Sequence, residues 1–415
     1  MEDQLMLIYN GILISWFAVF VTAACFAGIV VSCILRLVQK KSVSDIFIVT
    51  MLAVPLGLLF GRVLYCLFSN DLLTGFSEYL NLTNGGFGLF GVMLGVFIAV
   101  VLACRFFGCG HTGEMLDCIV PGGTLAIAIG RFATRFTSSE IGYPVNFKLF
   151  TVYDVKENVY NLAIFDLDGI FEMIIFLIAL FTFFYTRRIR NCHGVTSLVM
   201  LALHGTNQVV MDSMRADPLM LGINNFIKIS QIIGILCCIS VLVYFMVITA
   251  KKDSFSRFHM ISIPIILISI VFGVLGEYRV GSTNYISKHL LMLFGMLLLD
   301  WLTLTYAFKS VALAKEETQA ESESSEPLPA ETETEVQPEI IPPVQRRRTF
   351  ERHRSPDRNS VYRANSAYAA ERTFRSDPAE KVPTPSRGFN RYHRSPEPAP
   401  IDYENLKQEL DKLNL

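Results

Sequence analysis

What this 415-residue chain lacks narrows its chemistry before any motif is found. Its nine cysteines (Cys25, Cys33, Cys66, Cys104, Cys109, Cys118, Cys192, Cys237 and Cys238) form no CxxC pair and no Cys/His ligand spacing. A zinc site and a disulfide framework are therefore not indicated, and the cysteines, mostly within or beside apolar runs, read as small packing residues. The N-terminus has neither a basic n-region nor a small-residue cleavage site, so the first apolar run is expected to be a retained helix, not a removed signal peptide. No Gly-Lys-Ser/Thr follows the paired Gly85-Gly86 and no strand precedes it, which argues against a nucleotide-type phosphate loop. No inverted repeat or broken-helix pair supports a transporter. Nothing implies a metal, a cofactor or a nucleic-acid partner.

Apolar residues, by contrast, are abundant. A hydrophobic content of 52% and a mean hydropathy of +0.43 exclude a soluble enzyme. Runs of about 20 apolar residues with few charges specify an all-α polytopic membrane protein. Nine spans are expected, near 8–35, 45–68, 88–107, 115–136, 165–186, 195–213, 226–250, 258–276 and 288–310. Basic residues set their direction: Arg36, Lys40 and Lys41 follow the first span, Arg105 the third, and Arg187, Arg188 and Arg190 the fifth. Lys251 and Lys252 follow the seventh and Lys309 and Lys315 close the ninth, whereas loops 69–87 and 216–225 are nearly free of Lys and Arg. The positive-inside rule then puts the N-terminus outside and the C-terminal tail in the cytoplasm.

The formal net charge of -1 averages two unlike parts, an apolar one up to about residue 314 and a polar one from Lys315 onward. The tail, 315–415, is acidic over Glu316 to Glu339 and Arg-rich from Arg346 to Arg394. Such composition cannot bury a core and is expected to be disordered. Leu406, Leu410 and Leu413 space a short amphipathic helix over 402–414 that would bind a cytosolic partner, too short to be stable alone in water. The basic section suits a solvated tail or one resting on anionic membrane lipid.

Polar residues inside the spans carry the functional argument. The stretch Ile127-Ala128-Ile129-Gly130-Arg131-Phe132-Ala133-Thr134-Arg135-Phe136 places Arg131 at the far end of the fourth span, with Glu140-Ile141-Gly142-Tyr143-Pro144 behind it. An arginine at bilayer depth costs several kcal/mol, so it faces a partner, a water-filled cavity or an anionic ligand, or it snorkels and anchors the helix. Gly130 lets a backbone or a lipid headgroup come close. A second arginine, Arg62, follows Gly61 in the same way, and Gly88, Gly91 and Gly95 give the third span a small-residue face for close packing. Gly85-Gly86 suits a turn where backbone meets a ligand or another helix. The loop 137–165 reads as a small outer cap. Asp168 and Glu172 stack at i,i+4 and repel unless a cation such as Arg62 or Arg131 lies close; the plainer reading is an acidic first turn favoured by the helix dipole. Asp212 and Arg215 pair at i,i+3, and Asp300 sits alone in mid-span.

The ordered set Gly61-Arg62-xx-Tyr65, Asn84-Gly85-Gly86, Gly130-Arg131, Glu140-x-Gly142, Asp212-xx-Arg215-x-Asp217-Pro218 and Ile229-Ser230-Gln231 resembles prolipoprotein diacylglyceryl transferase over about residues 5–250. The resemblance implies a seven-helix transferase-like core (1–250, with the small cap near 137–165), an appended two-helix hairpin (251–314) and the disordered tail (315–415). It implies transfer of a diacylglyceryl group from phosphatidylglycerol to the lipobox cysteine of a preprolipoprotein signal peptide, releasing glycerol phosphate, in a bacterial plasma membrane. By the same resemblance Arg131, Glu140 and Asp212 are catalytic, and Arg62, Tyr65, Gly85, Gly86, Gly130, Gly142 and Arg215 bind substrate.

The chain also departs from the family pattern. Phe90 stands where the family loop Gly-Gly-Met-Ser-Phe-His-Gly-Gly has histidine, Gln208 replaces an arginine, and Thr134 and Thr137 replace two signature asparagines. Without that histidine the bases available to take a thiol proton are Glu140, Asp168 or Glu172. Two functions therefore stand open: a divergent transferase, and a catalytically inactive relative acting as a lipid-binding or scaffolding membrane protein.

Overall fold

A computed structural model describes residues 6–9, 12–68, 86–137, 140–155, 157–189, 192–216, 218–220, 228–252, 257–278 and 285–324. The N-terminal apolar run opens as a hairpin, β1 (Met6–Tyr9) against β2 (Ile12–Ser15), with Tyr9 opposite Ile12 and Met6 opposite Ser15. The expected helix over 8–35 therefore starts only at Trp16. Two signals explain the correction: Asn10-Gly11 is a strong hairpin-turn dipeptide, and Ser15 caps the helix by accepting from the Ala18 amide at 3.2 Å.

The helices that follow are α1 (Trp16–Val38), α2 (Ser44–Phe68), α3 (Leu89–Phe106), α4 (Thr112–Ala133), α5 (Ile164–Thr186), α6 (Val195–Met214), α7 (Ile229–Lys252), α8 (Arg257–Tyr278) and α9 (Tyr285–Ser324). Among the described residues, eight of these are long and apolar enough to cross a membrane, and α6 is not. It carries His204, Asn207, Gln208 and Asp212 and is buried without a break from Ala202 to Met214. A helix that polar cannot face hydrocarbon, so α4, α5, α7 and α9 pack around it. The Gly91 and Gly95 face does what small residues allow: a Cβ added at either would lie 2.4 Å from a carbonyl oxygen of α2, so α3 packs backbone-close against it.

Between α4 and α5 the chain makes a single turn of 3-10 helix (Thr134–Phe136), then β3 (Ile141–Val145), β4 (Thr151–Asp154) and β5 (Val159–Ala163) in an antiparallel sheet ordered β3-β5-β4. The α8–α9 hairpin docks on the polar helices. Lys228 Nζ lies 3.0 Å from Glu277 of α8, and the Thr206 hydroxyl donates to Asp300 of α9 at 2.7 Å. Asp300, isolated in its own span, is thus partnered from α6. Helix α9 continues to Ser324, past the composition change at Lys315; the rest of the tail, including 402–414, lies outside the described residues. All nine cysteines are free, and burial pushes the thiols of Cys109 and Cys192, between spans, above their usual range.

Candidate functional site

Arg131 occupies the last turn of α4, and three segments converge on it. The chain beyond the 3-10 turn brings back Glu140, whose backbone takes the left-handed conformation (φ 62°), a cost non-glycine residues bear where surrounding structure demands it. Glu140 Oε1 accepts from Arg131 Nη1 and lies 3.5 Å from Arg215 Nη1, while its Oε2 accepts from the Thr134 hydroxyl at 3.2 Å. Strand β3 is zipped to the end of α6: Ala216 donates to the Ile141 carbonyl at 3.0 Å, and Gly142 bridges Arg215. The approach is tight: a Cβ at residue 142 would sit 3.0 Å from the Met214 carbonyl oxygen. Asp212 Oδ1 lies 3.5 Å from Arg215 Nη1.

Helices α5 and α6 supply the other half. Asp168 Oδ2 lies 2.9 Å from Arg131 Nε, and Gln208 Oε1 accepts from Arg131 Nη2 at 3.0 Å. The Gln208 amide in turn donates to Asp168 at 3.3 Å. Asn207 Nδ2 bridges the two stacked carboxylates, 2.7 Å from Asp168 and 2.9 Å from Glu172, and His204 Nδ1 lies 2.6 Å from Glu172. The repulsion expected between Asp168 and Glu172 is thus relieved by Arg131 on one and by Asn207 and His204 on the other. Carboxylates (Glu140, Asp168, Glu172, Asp212) outnumber the guanidinium groups (Arg131, Arg215) in the network.

Of the residues singled out in the sequence, Arg131, Glu140, Gly142, Asp212 and Arg215 come together here. A Cβ built on Gly130 meets no described protein atom within 4 Å, leaving open space beside Arg131. Arg62 and Tyr65 belong to the junction of α2 and α3: Arg62 donates to the Gly86 carbonyl at 3.2 Å and its guanidinium carbon lies 5.7 Å from the centre of the Tyr65 ring. Gly86 has a positive φ of 77°, and a Cβ there would overlap that ring. Gly85 lies outside the described residues. Phe90, at the start of α3, ties this junction to the Arg131 network through its edge-on contact with His204, ring centres 5.4 Å apart. Sequence reasoning gave His204 and Asn207 no role. The signal was there in the spacing of His204, Gln208 and Asp212, every fourth residue on one helix face. Among the described residues no three His, Cys, Asp or Glu side chains converge to hold a metal ion.

A family model described as prolipoprotein diacylglyceryl transferase matches residues 4–248. Three curated relatives carry the name phosphatidylglycerol–prolipoprotein diacylglyceryl transferase. That from Finegoldia magna is 25% identical over 227 residues, covering 54% of this chain and 87% of its own. That from Clostridioides difficile is 23% identical over 240 residues, 56% of this chain and 92% of its own. That from Clostridium kluyveri is 22% identical over 254 residues, 58% and 96%.

Proposed function

The chain belongs to the prolipoprotein diacylglyceryl transferase family, and from that premise we propose that it moves a diacylglyceryl group from phosphatidylglycerol to the lipobox cysteine of a prolipoprotein, releasing glycerol phosphate. The observation that carries the reading is Arg131, a guanidinium held by protein groups on three nitrogens, next to open space at Gly130. Displacing glycerol phosphate by a thiolate leaves charge on phosphate oxygens, which preorganised arginines stabilise well away from water. Of the three contacts Arg131 makes, the one to Gln208 is neutral. A lipid phosphate oxygen, being charged, competes best for that Nη2 arm. Glu140 and Asp168 then keep the guanidinium aimed, and Asp212 and Glu140 do the same for Arg215. Arg62, beside Gly86, supplies a second cation for the lipid headgroup.

By the positive-inside rule we infer that the β-sheet and the N-terminal hairpin lie outside a bacterial plasma membrane and α9's far end inside, so that both substrates would meet the Arg131 end from the outer leaflet. One observation favours the non-catalytic alternative: every Arg131 nitrogen already has a protein oxygen within 3.0 Å, although Nε makes no hydrogen bond to the one beside it. The two readings separate on complementation of a bacterial strain depleted of its own transferase. Restored growth and lipoprotein maturation support the enzyme; failure of a chain shown to be present in the membrane supports a lipid-binding scaffold.

A further inference from the structure

The Arg131 network leaves several polar atoms unserved. Among the described residues, His204 Nε2, Glu172 Oε2, Asn207 Oδ1 and Asp212 Oδ2 are buried side-chain atoms with no hydrogen-bond partner. Native interiors rarely leave such atoms bare; they hold them for water or substrate. Three of the four meet on the facing sides of α5 and α6, where His204 Nδ1 lies 2.6 Å from Glu172 and Asn207 donates to the same oxygen. With Nδ1–H donating to the carboxylate, the lone pair of the neutral imidazole is on Nε2, so a carboxylate fixes the tautomer and leaves a basic nitrogen uncommitted.

The other bases each lie against an arginine, although Asp212 keeps its Oδ2 without a partner among the described residues. Glu140 is held by Arg131, Arg215 and Thr134, Asp168 by Arg131, Asn207 and Gln208, and Asp212 by Arg215. Phe90 stands where the resemblance called for histidine, and its ring packs edge-on against His204. The imidazole missing from α3 is therefore supplied, one side chain away, from α6. Asp300 of α9 reaches the same helix but is bonded to Thr206.

We propose that His204 is the proton acceptor for the lipobox cysteine. As the sulfur attacks the glyceryl carbon of the lipid, its proton passes to His204 Nε2; the C–S bond forms, the C–O bond breaks, and its electron pair leaves on the phosphate oxygen of glycerol phosphate. The imidazolium, held by Glu172, returns the proton to water after product leaves. His204 is fully buried, so substrate binding parts the packing around it, of which Phe90 is one wall. The assignment rests on the transferase reading.

The test uses the full-length protein in phosphatidylglycerol vesicles with a lipobox peptide, measuring kcat and KM. His204→Gln should lower kcat at neutral pH by about 100-fold or more and leave KM little changed, and adding Phe90→His should restore part of the rate. His204→Gln with wild-type kcat overturns the assignment. If that variant does not fold, His204→Asn decides: a folded variant with wild-type kcat also overturns it. No transfer by folded wild type overturns the transferase reading itself.

Discussion

Two buried arginines, Arg36 and Arg131, sit near the ends of neighbouring helices and carry similar partners. Arg36, at the end of α1, lies 2.5 Å from Asp45 and 3.5 Å from Glu114, and donates to the Cys109 carbonyl at 3.0 Å and to Gln39 at 3.3 Å. Lys41 adds a second cation, 3.7 Å from Glu114. There the cations balance the carboxylates, Arg36 Nε is the one buried side-chain atom of the cluster without a hydrogen bond among the described residues, and the cluster knits α1 to α2 and α4. Around Arg131 carboxylates are in excess, orphan atoms collect on Glu172, His204, Asn207 and Asp212, and Glu140 is held in a left-handed backbone. A buried arginine is thus no mark of a site by itself; unmatched partners are.

The contrast breaks most sharply at Arg131. Arg131→Ala should cut diacylglyceryl transfer by on the order of 1,000-fold, and Arg131→Lys should lose most of it, because lysine keeps charge without the fork. Free substitution by lysine in a transfer assay would reduce Arg131 to an anchor like any snorkelling residue. At the other end Arg36→Ala should destabilise the fold by about 3 kcal/mol, since it strands Asp45 and Glu114, yet leave transfer per folded molecule unchanged; thermal unfolding in detergent alongside the same assay checks both halves.

Glu140→Gln keeps the shape but weakens the aim of two arginines, and transfer should fall about tenfold. An unaltered rate would remove Glu140 from the machinery. Smallest is Thr206→Val, which takes the hydroxyl from Asp300 and should cost about 1 kcal/mol of stability, read as a lower unfolding midpoint with kcat unchanged.

The positions of the spans were legible in the sequence because twenty-residue apolar runs and their basic flanks are local signals. The first helix was not placed well, since over 8–15 a short apolar run fits hairpin and helix alike, and only Asn10-Gly11 and the capping Ser15 separate the two. Arg131 and Glu140 could be paired by nearness in the chain. Gln208 reads in the sequence as a replaced arginine, and its hydrogen bond to Arg131, 77 residues away, has no local signal. His204 passed unnoticed because its worth lies in what surrounds it: complete burial, Glu172 on one nitrogen, and no hydrogen-bond partner among the described residues on the other. Such facts are set by helix packing order, which local periodicity does not encode.

The central claim is that this membrane chain performs the transfer of its family with Arg131 at the centre. Purified protein incubated with phosphatidylglycerol vesicles and a lipobox peptide should yield peptide carrying a diacylglyceryl thioether, with glycerol phosphate released in equal amount and neither formed when phosphatidylethanolamine is the sole lipid. Unmodified peptide and no glycerol phosphate from folded protein, under conditions where a relative's enzyme modifies the same peptide, would contradict it.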